Sequence, residues 1–395
     1  MGTTISEQLD ERILRTHDAI ELPGDGVEHV AASSARADTY DIYVTRTLPA
    51  MAARIRQLVG SSQLAVVSEE RVAALHGDAF LGGLAEVGLE PELKVVAPGE
   101  ANKSLEQAVE LWHWLAAGSL GRRDVLVTFG GGVVNDLGGW VAAGYMRGMR
   151  YVNVSTTLVG QVDAAIGGKL AVNHEEAKNL IGGFHQPLGV VSHVPFLDTL
   201  EVRHLRAGLA ETIKKALIAS PAYWAFIDDN VEAILGGDHD ALEQLVVAAS
   251  AIKAELIARD PYEYDARRTL GFGHALAHPL ETVTGYGPVL HGEAVAFGMV
   301  VEARMANARG LLADEHLDAV VALLRRAGLP TETAELAAPV DGEALLAATE
   351  KVRLARGGSL RWVLPIGLGD TVIADDVSDA ELRAALRGSG VAVPA

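Results

Sequence analysis

Apolar residues recur along this chain in two patterns that divide it near residue 197. From Tyr40 to about residue 196, short continuous apolar runs alternate with segments of helical period, which predicts βαβ units and a parallel sheet. Beyond that point the strand signal fades and long segments of 3.6-residue periodicity dominate, which predicts a mostly helical domain. The predicted organisation is an N-terminal extension at 1–37, a sheet domain at 38–197 and a helical domain at 198–395.

The same pattern predicts the individual elements. Predicted strands lie at 41–48, 63–70, 93–98, 124–132 and 151–158, with helices between them at 49–58, 71–87, 104–118 and 133–144. In the second half, predicted helices lie at 204–218, 221–235, 239–259, 269–283, 291–310 and 315–327, with one hairpin inside 359–374. The predicted fold class is therefore an α/β domain followed by an α domain.

Composition narrows the class of protein. With 49 % hydrophobic residues, the 395-residue chain is too apolar for intrinsic disorder and long enough for a large core. The net charge of −19 argues against nucleic-acid binding, although a few placed cations still attract a small anion. The absence of cysteine excludes disulfides and thiolate chemistry. We find no signal-peptide pattern and no apolar run of about 18 residues, so we expect a soluble cytoplasmic enzyme without a membrane partner.

A glycine-rich turn follows one of the predicted strands. In DVLVTFGGGVVND the strand leads into Gly130, Gly131 and Gly132, and a helix begins directly after them. Glycines let a ligand approach the backbone, and the free N–H groups of a helix start attract phosphate. The spacing differs from GxGxxG, so an ordinary tight turn remains an alternative. Asp136 is either a polar anchor within the helix or a ribose ligand.

Two motifs rich in lysine come next along the chain. The stretch 162–187 places Lys169, Lys178 and several amides among glycines, which suits an oxyanion or a sugar phosphate. The alternative is a polar loop with solvated lysines. In GLAETIKKALI, Glu211 and Lys214 share one helix face, and for this motif alone a surface ion pair is the simpler interpretation.

Three histidines lie close together in the helical half. His274 and His278 are at i, i+4 on one helix face, a spacing that can chelate a divalent metal. The metalloprotease motif requires glutamate directly after the first histidine, and Ala275 stands there instead. His291 follows beside a glycine, and two of the three histidines with a carboxylate would form a three-ligand site open to a substrate oxygen. The residues alone predict a two-domain enzyme with a phosphate or nucleotide on the sheet domain and a metal in the helical domain.

Several segments in sequence order resemble the dehydroquinate synthase superfamily of sugar-phosphate cyclases. They are PGEANKSL, GGGVVND, STTLVGQVDAAIGGK, KNLIGGFHQP, GLAETIK, GFGHALAH and HGEAV, and the resemblance extends from about Tyr40 to about Asp370. It implies a Rossmann-like NAD domain, an α-helical metal domain, an active site in the cleft and a homodimer. The implied cofactors are NAD and Zn²⁺ or Co²⁺, and the implied partner is a small sugar phosphate. The implied reaction is alcohol oxidation, β-elimination of phosphate, return of the hydride and intramolecular aldol cyclisation.

The resemblance also assigns roles to individual residues. The implied metal ligands are Glu211, His274 and His291. The implied NAD contacts are Glu69, Glu100, Lys103, Gly131, Gly132, Asp136, Thr156, Thr157, Lys178 and Thr199. The implied catalytic residues are Asp163, Lys169, Lys214 and His278. The implied substrate contacts are Lys169, Asn179, Lys253, Arg267, Gly271 and His278, with Arg147 reaching the phosphate pocket of the neighbouring subunit.

Some positions depart from the family pattern and bear on the choice of substrate. Gly271 stands where dehydroquinate synthases carry asparagine, and Leu170 stands where their GGKT segment carries threonine. These two positions favour a sedoheptulose 7-phosphate cyclase of the 2-epi-valiolone type. Lys253 and Arg267, which bind the substrate carboxylate in dehydroquinate synthases, favour 3-dehydroquinate synthase as the alternative. A metal-dependent polyol dehydrogenase and a non-catalytic sugar-phosphate sensor are the more remote alternatives.

Overall fold

The computed structural model describes residues 29–33, 39–174, 177–263, 266–355 and 357–394, which group into two compact units. The sheet unit comprises the described residues up to Glu201 together with Gly237–Tyr262. The helical unit comprises Val202–Gly236 and the described residues from Glu263 onwards. The sequence pattern places 237–262 in the helical domain, whereas the structure groups this segment with the sheet. The predicted domain boundaries themselves stay a prediction.

Nine strands belong to the sheet unit. They are β1 (His29–Ser33), β2 (Thr39–Thr45), β3 (Leu64–Glu69), β4 (Glu92–Val96), β5 (Val125–Gly130), β6 (Arg150–Ser155), β7 (Lys169–His174), β8 (Ala177–Phe184) and β9 (Gly189–His193). Seven of these strands form one sheet in the order β1-β2-β9-β6-β5-β3-β4. β1 is antiparallel to β2 and the other neighbours are parallel, while β7 and β8 form a separate antiparallel hairpin.

The helices of both units are numbered together along the chain. They are α1 (Leu48–Val59), α2 (Glu70–Glu86), α3 (Leu105–Ala117), α4 (Gly132–Gly144), α5 (Val202–Ala219), α6 (Pro221–Leu235), α7 (His239–Arg259), α8 (His274–Val283), α9 (His291–Ala308), α10 (Asp314–Arg326), α11 (Gly342–Ala355) and α12 (Asp379–Gly388). Helices α1–α4 and α7 belong to the sheet unit. The remaining helices belong to the helical unit, which also contains the antiparallel hairpin β10 (Trp362–Gly367) and β11 (Asp370–Ala374).

The central parallel strands β3, β5, β6 and β9 are buried on both faces of the sheet, whereas the edge strand β4 is partly exposed. Successive side chains of a strand point to opposite faces, so Val66 packs in one hydrophobic cluster with Phe80, while Val67 packs in another with Leu111 and Leu137. Burial on both faces explains why these strands are continuous apolar runs in the sequence instead of alternating patterns. The predicted fold class is confirmed.

Helix α7 packs onto the sheet unit through its C-terminal half. Ala254 and Ile257 belong to the same buried cluster as Ile42 and Val190, which lie on β2 and β9. A helical period in the sequence identifies the apolar face of such a helix but does not say which surface will cover it. That is the physical reason why the sequence pattern alone did not place this helix with the sheet.

Other segments also differ from the sequence expectations, which predicted neither the strand β9 nor the helices α11 and α12. The predicted loop at 162–187 contains the hairpin β7–β8. The helix predicted at 269–283 begins only at His274, because a 3-10 turn at Ala266–Gly271 and a left-handed Gly273 precede it. Of the predicted extension, the described residues 29–33 form β1, and the rest lies outside the described part of the chain. None of the described helices is long and apolar enough to cross a membrane.

Candidate active site

Three side chains from three helices of the helical unit converge on one point. Glu211 lies within α5, and His274 and His291 are the first residues of α8 and α9. Oε1 of Glu211 lies 3.7 Å from Nε2 of His274 and 3.6 Å from Nε2 of His291. Ligand atoms that surround a tetrahedral zinc ion at its usual bond lengths are about 3.4 Å apart. The spacing and the donor types of these three side chains therefore fit a divalent cation.

Glycines allow the helices that carry these side chains to approach each other. A Cβ on Gly292, next to His291, would lie 2.0 Å from the carbonyl oxygen of Ala207 in α5. A Cβ on Gly298 would lie 2.1 Å from the carbonyl oxygen of Gly273, the residue that precedes α8. Gly273 also has a φ of +78°, in the left-handed region that favours glycine. These glycines therefore bring backbone segments together at the histidines.

Two lysines contact the carboxylate of Glu211 from within its own helix. Nζ of Lys214 lies 2.6 Å and Nζ of Lys215 lies 3.5 Å from Oε2. All three side chains are at most 2 % exposed. The interpretation of Glu211 and Lys214 as a surface ion pair is therefore wrong. Sequence reasoning missed Lys215, although its i, i+4 spacing from Glu211 was an available signal.

The outer nitrogens of the two histidines have different acceptors. Nδ1 of His274 lies 3.1 Å from the carbonyl oxygen of Phe272, and Nδ1 of His291 lies 3.2 Å from Oε2 of Glu281. Both contacts leave Nε2 facing Glu211. Glu281 was also missed, although it follows His274 by seven residues, two helical turns, and so shares its helix face. His278 is exposed, and its ring lies 5.3 Å from that of His274.

The surroundings shift the pKa values of the two histidines in opposite directions. Burial and the nearby ammonium of Lys214 hold the pKa of His274 well below its usual value. Burial alone would lower the pKa of His291, but the carboxylates of Glu211 and Glu281 raise it to about 10. A metal binds neutral imidazole, so a cation at this site must displace the proton that the two carboxylates favour on His291.

A second polar cluster lies within the sheet unit. Nζ of Lys103 is 2.9 Å from Oδ2 of Asp136 and 3.4 Å from Oε1 of Glu100, and it also donates to Oδ1 of Asn179. Burial alone would lower the pKa of Lys103, but Asp136 and Glu100 raise it, so this buried lysine stays charged. Nζ of Lys178 is 3.9 Å from the same Glu100 oxygen. The structure thus joins five of the predicted residues.

The GGG turn connects the end of β5 to the start of α4. Gly131 precedes the helix, and a Cβ there would lie 2.9 Å from Cγ2 of Thr157. A Cβ on Gly132 would lie 3.2 Å from Cβ of Ala164, and the amide of Thr156 donates to the carbonyl of Gly130 at 2.9 Å. The 13-residue helix α4 therefore begins with glycines at the carboxyl edge of the sheet. Glycines leave the first N–H groups of the helix accessible, which fits binding of a dinucleotide pyrophosphate.

Asp163 and Lys253 form a further pair in the sheet unit. Nζ of Lys253, on α7, lies 2.9 Å from Oδ1 of Asp163 and 2.7 Å from its backbone oxygen. The lysine side chain is 7 % exposed. Lys169 is exposed at the start of β7, whereas the neighbouring Leu170 is buried and packs in the same hydrophobic cluster as Leu137.

Other predicted residues lie at separate places. Glu69 ends β3, and burial raises the pKa of its carboxyl group. The hydroxyl of Thr199 lies 2.8 Å from Nε2 of His76. Arg147 is exposed in the turn after α4 with a φ of +66°. Gly271 has no described atom within 4 Å of the position of a Cβ. The side chain of Arg267 lies outside the described part of the chain.

Comparison with known proteins identifies the family. Models of the 3-dehydroquinate synthase N-terminal and C-terminal regions match residues 93–207 and 208–351. The chain therefore belongs to the 3-dehydroquinate synthase family, and the resemblance noted in the sequence motifs is confirmed.

Individual relatives lie on more than one branch of this family. The chain is 50 % identical to a 2-epi-valiolone synthase of Actinosynnema mirum, over 94 % of this chain and 97 % of that protein. It is 40 % identical to a 3-dehydroquinate synthase of Methylococcus capsulatus, over 89 % and 96 %. A solved 2-epi-5-epi-valiolone synthase of Streptomyces hygroscopicus, with NAD⁺ and Zn²⁺ bound, is 30 % identical, covers 91 % of this chain and 98 % of its own, and superposes with a TM-score of 0.83.

Proposed function

We propose that this chain is a sugar-phosphate cyclase that uses NAD and a divalent metal to convert sedoheptulose 7-phosphate into 2-epi-valiolone or a closely related seven-carbon cyclitol. The observation that carries the choice of substrate is the 50 % identity to a 2-epi-valiolone synthase, against 40 % to the dehydroquinate synthase described above. Gly271 supports it, because glycine lacks the side-chain donor of the asparagine that dehydroquinate synthases carry there and leaves the space within 4 Å of its Cβ position free of described atoms. Leu170 adds no support, because its side chain is buried in the core.

In this proposal, Glu211, His274 and His291 hold Zn²⁺ or Co²⁺. The bound cation would act as a Lewis acid for charge that develops on a substrate oxygen, and bound NAD⁺ would accept and return a hydride. Lys214 and Lys215 orient the carboxylate of Glu211, since both of their ammonium groups contact its Oε2 atom.

The sheet unit supplies the dinucleotide contacts of the proposal. Gly131, Gly132 and the first N–H groups of α4 bind the pyrophosphate, and the acidic Glu69 at the end of β3 accepts hydrogen bonds from ribose hydroxyls. Lys103 holds Asp136 at a fixed position through a buried ion pair. The remaining contacts assigned to the dinucleotide are Glu100, Thr156, Thr157, Lys178 and Thr199.

The substrate contacts of the proposal are donors to an anionic group. Lys169, Asn179 and His278 donate charge-assisted hydrogen bonds to the phosphate, and Arg147 does so across a subunit boundary. Lys253 is held by Asp163, which fixes its ammonium group before substrate binds. The departing phosphate takes the neighbouring proton itself, so the elimination needs no dedicated carboxylate base.

The decisive experiment offers the purified chain three substrates in the presence of NAD⁺ and Co²⁺ or Zn²⁺. We expect phosphate release from sedoheptulose 7-phosphate, a carbocycle in the NMR spectrum of the product, and no accumulation of NADH. Release only from the seven-carbon keto acid phosphate would establish the alternative, 3-dehydroquinate synthase, which Lys253 favours. Net NADH formation from a polyol would establish a dehydrogenase instead, and ligand binding without phosphate release would indicate a sensor.

A cytoplasmic homodimer is part of the proposal. Arg147 tests it, because its exposed side chain is expected to reach the phosphate of the neighbouring subunit. Arg147→Ala should raise the KM for the sugar phosphate, with the exposed Arg123→Ala as a matched control that leaves it unchanged. A monomer by light scattering, or an unchanged KM in Arg147→Ala, would contradict the shared pocket.

A further inference from the structure

The two histidines of the candidate metal site are supported in different ways. His274 directs Nδ1 to a backbone carbonyl, which is neutral, whereas His291 directs Nδ1 to the carboxylate of Glu281. Glu281 is 5 % exposed, so its charge is placed in a largely dry environment. Burying a carboxylate there is costly unless a partner compensates it. His291 provides that partner at 3.2 Å.

We propose that Glu281 is a positioning residue for the metal site. Its carboxylate accepts a hydrogen bond from the Nδ1–H of His291 and thereby fixes the tautomer whose Nε2 lone pair faces the cation. The same contact fixes the orientation of the ring and makes the Nε2 lone pair a stronger ligand for the metal. This inference rests on the proposed function, because it presumes that Glu211, His274 and His291 bind a metal.

The geometry places Glu281 behind His291 and not beside the cation. The carboxylate of Glu211 faces Nε2, whereas that of Glu281 faces Nδ1, on the other edge of the ring. Glu281 lies near the end of α8 and His291 opens α9, so the contact also links the two helices that carry the histidine ligands. The carboxylate of Glu281 therefore orients His291 relative to α8, the helix that carries His274.

A competing interpretation makes Glu281 a ligand itself. Donor atoms of His278, Glu281 and His291 also lie within 4.8 Å of one another. A cation held by that group would use the Nδ1 edge of His291, away from Glu211. The two interpretations predict different stoichiometry and different Co²⁺ spectra, which allows them to be separated.

The first experiment measures Zn²⁺ affinity of the metal-free full chain by competition with a chelating dye. We expect one Zn²⁺ per chain in the wild type. Glu281→Ala should weaken binding by about 10- to 100-fold, and Glu281→Gln by less, because the amide oxygen still accepts the hydrogen bond. The control is Glu232→Gln, which removes one exposed carboxylate of the same unit that pairs with Arg326, and its affinity should equal that of the wild type.

The second experiment records the visible spectrum of the Co²⁺-loaded proteins. A positioning role leaves the number of ligands unchanged, so the band intensity of Glu281→Gln at saturating Co²⁺ should match the wild type. An unchanged Zn²⁺ affinity of Glu281→Gln and Glu281→Ala would overturn the inference, and so would a change in coordination number. If Glu281→Ala does not fold, the nearly isosteric Glu281→Gln decides. A wild-type chain that binds no Zn²⁺ would instead overturn the metal site itself.

Discussion

Adding one methyl group at Gly292 tests whether the close approach of α5 and α9 sets the spacing of the metal ligands. The new Cβ of Gly292→Ala would lie 2.0 Å from the carbonyl oxygen of Ala207, and 2.5 and 2.6 Å from its C and Cα atoms. All three are backbone atoms, so no side chain can rotate away. Restoring ordinary contact at about 3.4 Å requires the two helices to separate by about 1.4 Å.

That separation acts directly on the candidate ligands. His291 precedes Gly292, and Glu211 lies about one helical turn after Ala207, so the movement is transmitted to the pair that is now 3.6 Å apart. Metal sites tolerate deviations of about 0.2 Å in ligand distances. Overpacking of this kind costs about 1–3 kcal/mol. For a unit of this size, that cost corresponds to a melting temperature lower by roughly 2–12 °C.

The assay is thermal unfolding of the metal-free chain, followed by Zn²⁺ titration. Gly292→Ala should melt earlier and bind Zn²⁺ more weakly. Gly287→Ala is the matched control, because no described atom lies within 4 Å of its Cβ position, and it should resemble the wild type. A Gly292→Ala protein with wild-type stability would refute the close approach. Lower stability with unchanged Zn²⁺ affinity would show that this crossing does not set the ligand spacing.

Three further predictions follow from other groups. His274→Ala should lose bound metal and activity together while the fold is retained, and metal analysis that still finds one ion per chain would contradict its role as a ligand. Lys103→Met leaves the carboxylate of Asp136 without its ammonium partner, so the free energy of unfolding measured in urea should fall by about 3–5 kcal/mol. Lys94→Met, which replaces a half-buried lysine of the same unit, is the control and should change this free energy little. Burial lowers the pKa of His193 from 6.5 to about 4, so between these pH values the unfolded chain binds a proton that the folded chain does not. The free energy of unfolding should therefore be highest above pH 6.5 and should decrease as the pH falls towards 4. The loss should be roughly 3 kcal/mol by urea titration and smaller in His193→Gln; equal pH profiles would contradict it.

Where the apolar pattern is strong, the sequence predicted the elements closely. The helices predicted at 221–235 and 239–259 have those bounds in the structure, because each begins after a side-chain cap, Ser220 or Asp238. The hairpin β7–β8 was predicted as a loop, because its glycines and charged residues interrupt the run of apolar residues that is typical of a strand. Its partner strands are defined by pairing with each other, which no local period reveals.

The candidate site shows the same limit. Motifs identified Glu211, His274 and His291, and the structure brings them to a common point. Lys215 and Glu281 were missed because their place in the site depends on contacts with other side chains, which the motifs do not specify. Helical spacing offered a signal for both residues, but only the packing of α5, α8 and α9 shows which side chains those helix faces contact.

The overall charge of −19 does not indicate whether this protein can bind an anionic substrate. Each of three candidate-site carboxylates has a lysine ammonium within 2.9 Å: Glu211 with Lys214, Asp136 with Lys103, and Asp163 with Lys253. An uncompensated carboxylate about 4 Å from a phosphate would repel it by roughly 4 kcal/mol at an effective dielectric constant near 20. Local pairing removes that repulsion while keeping carboxylate oxygens available as acceptors. An acidic chain can therefore contain sites suited to a phosphate, because the field at each site depends on its immediate ion pairs and only weakly on screened surface charges.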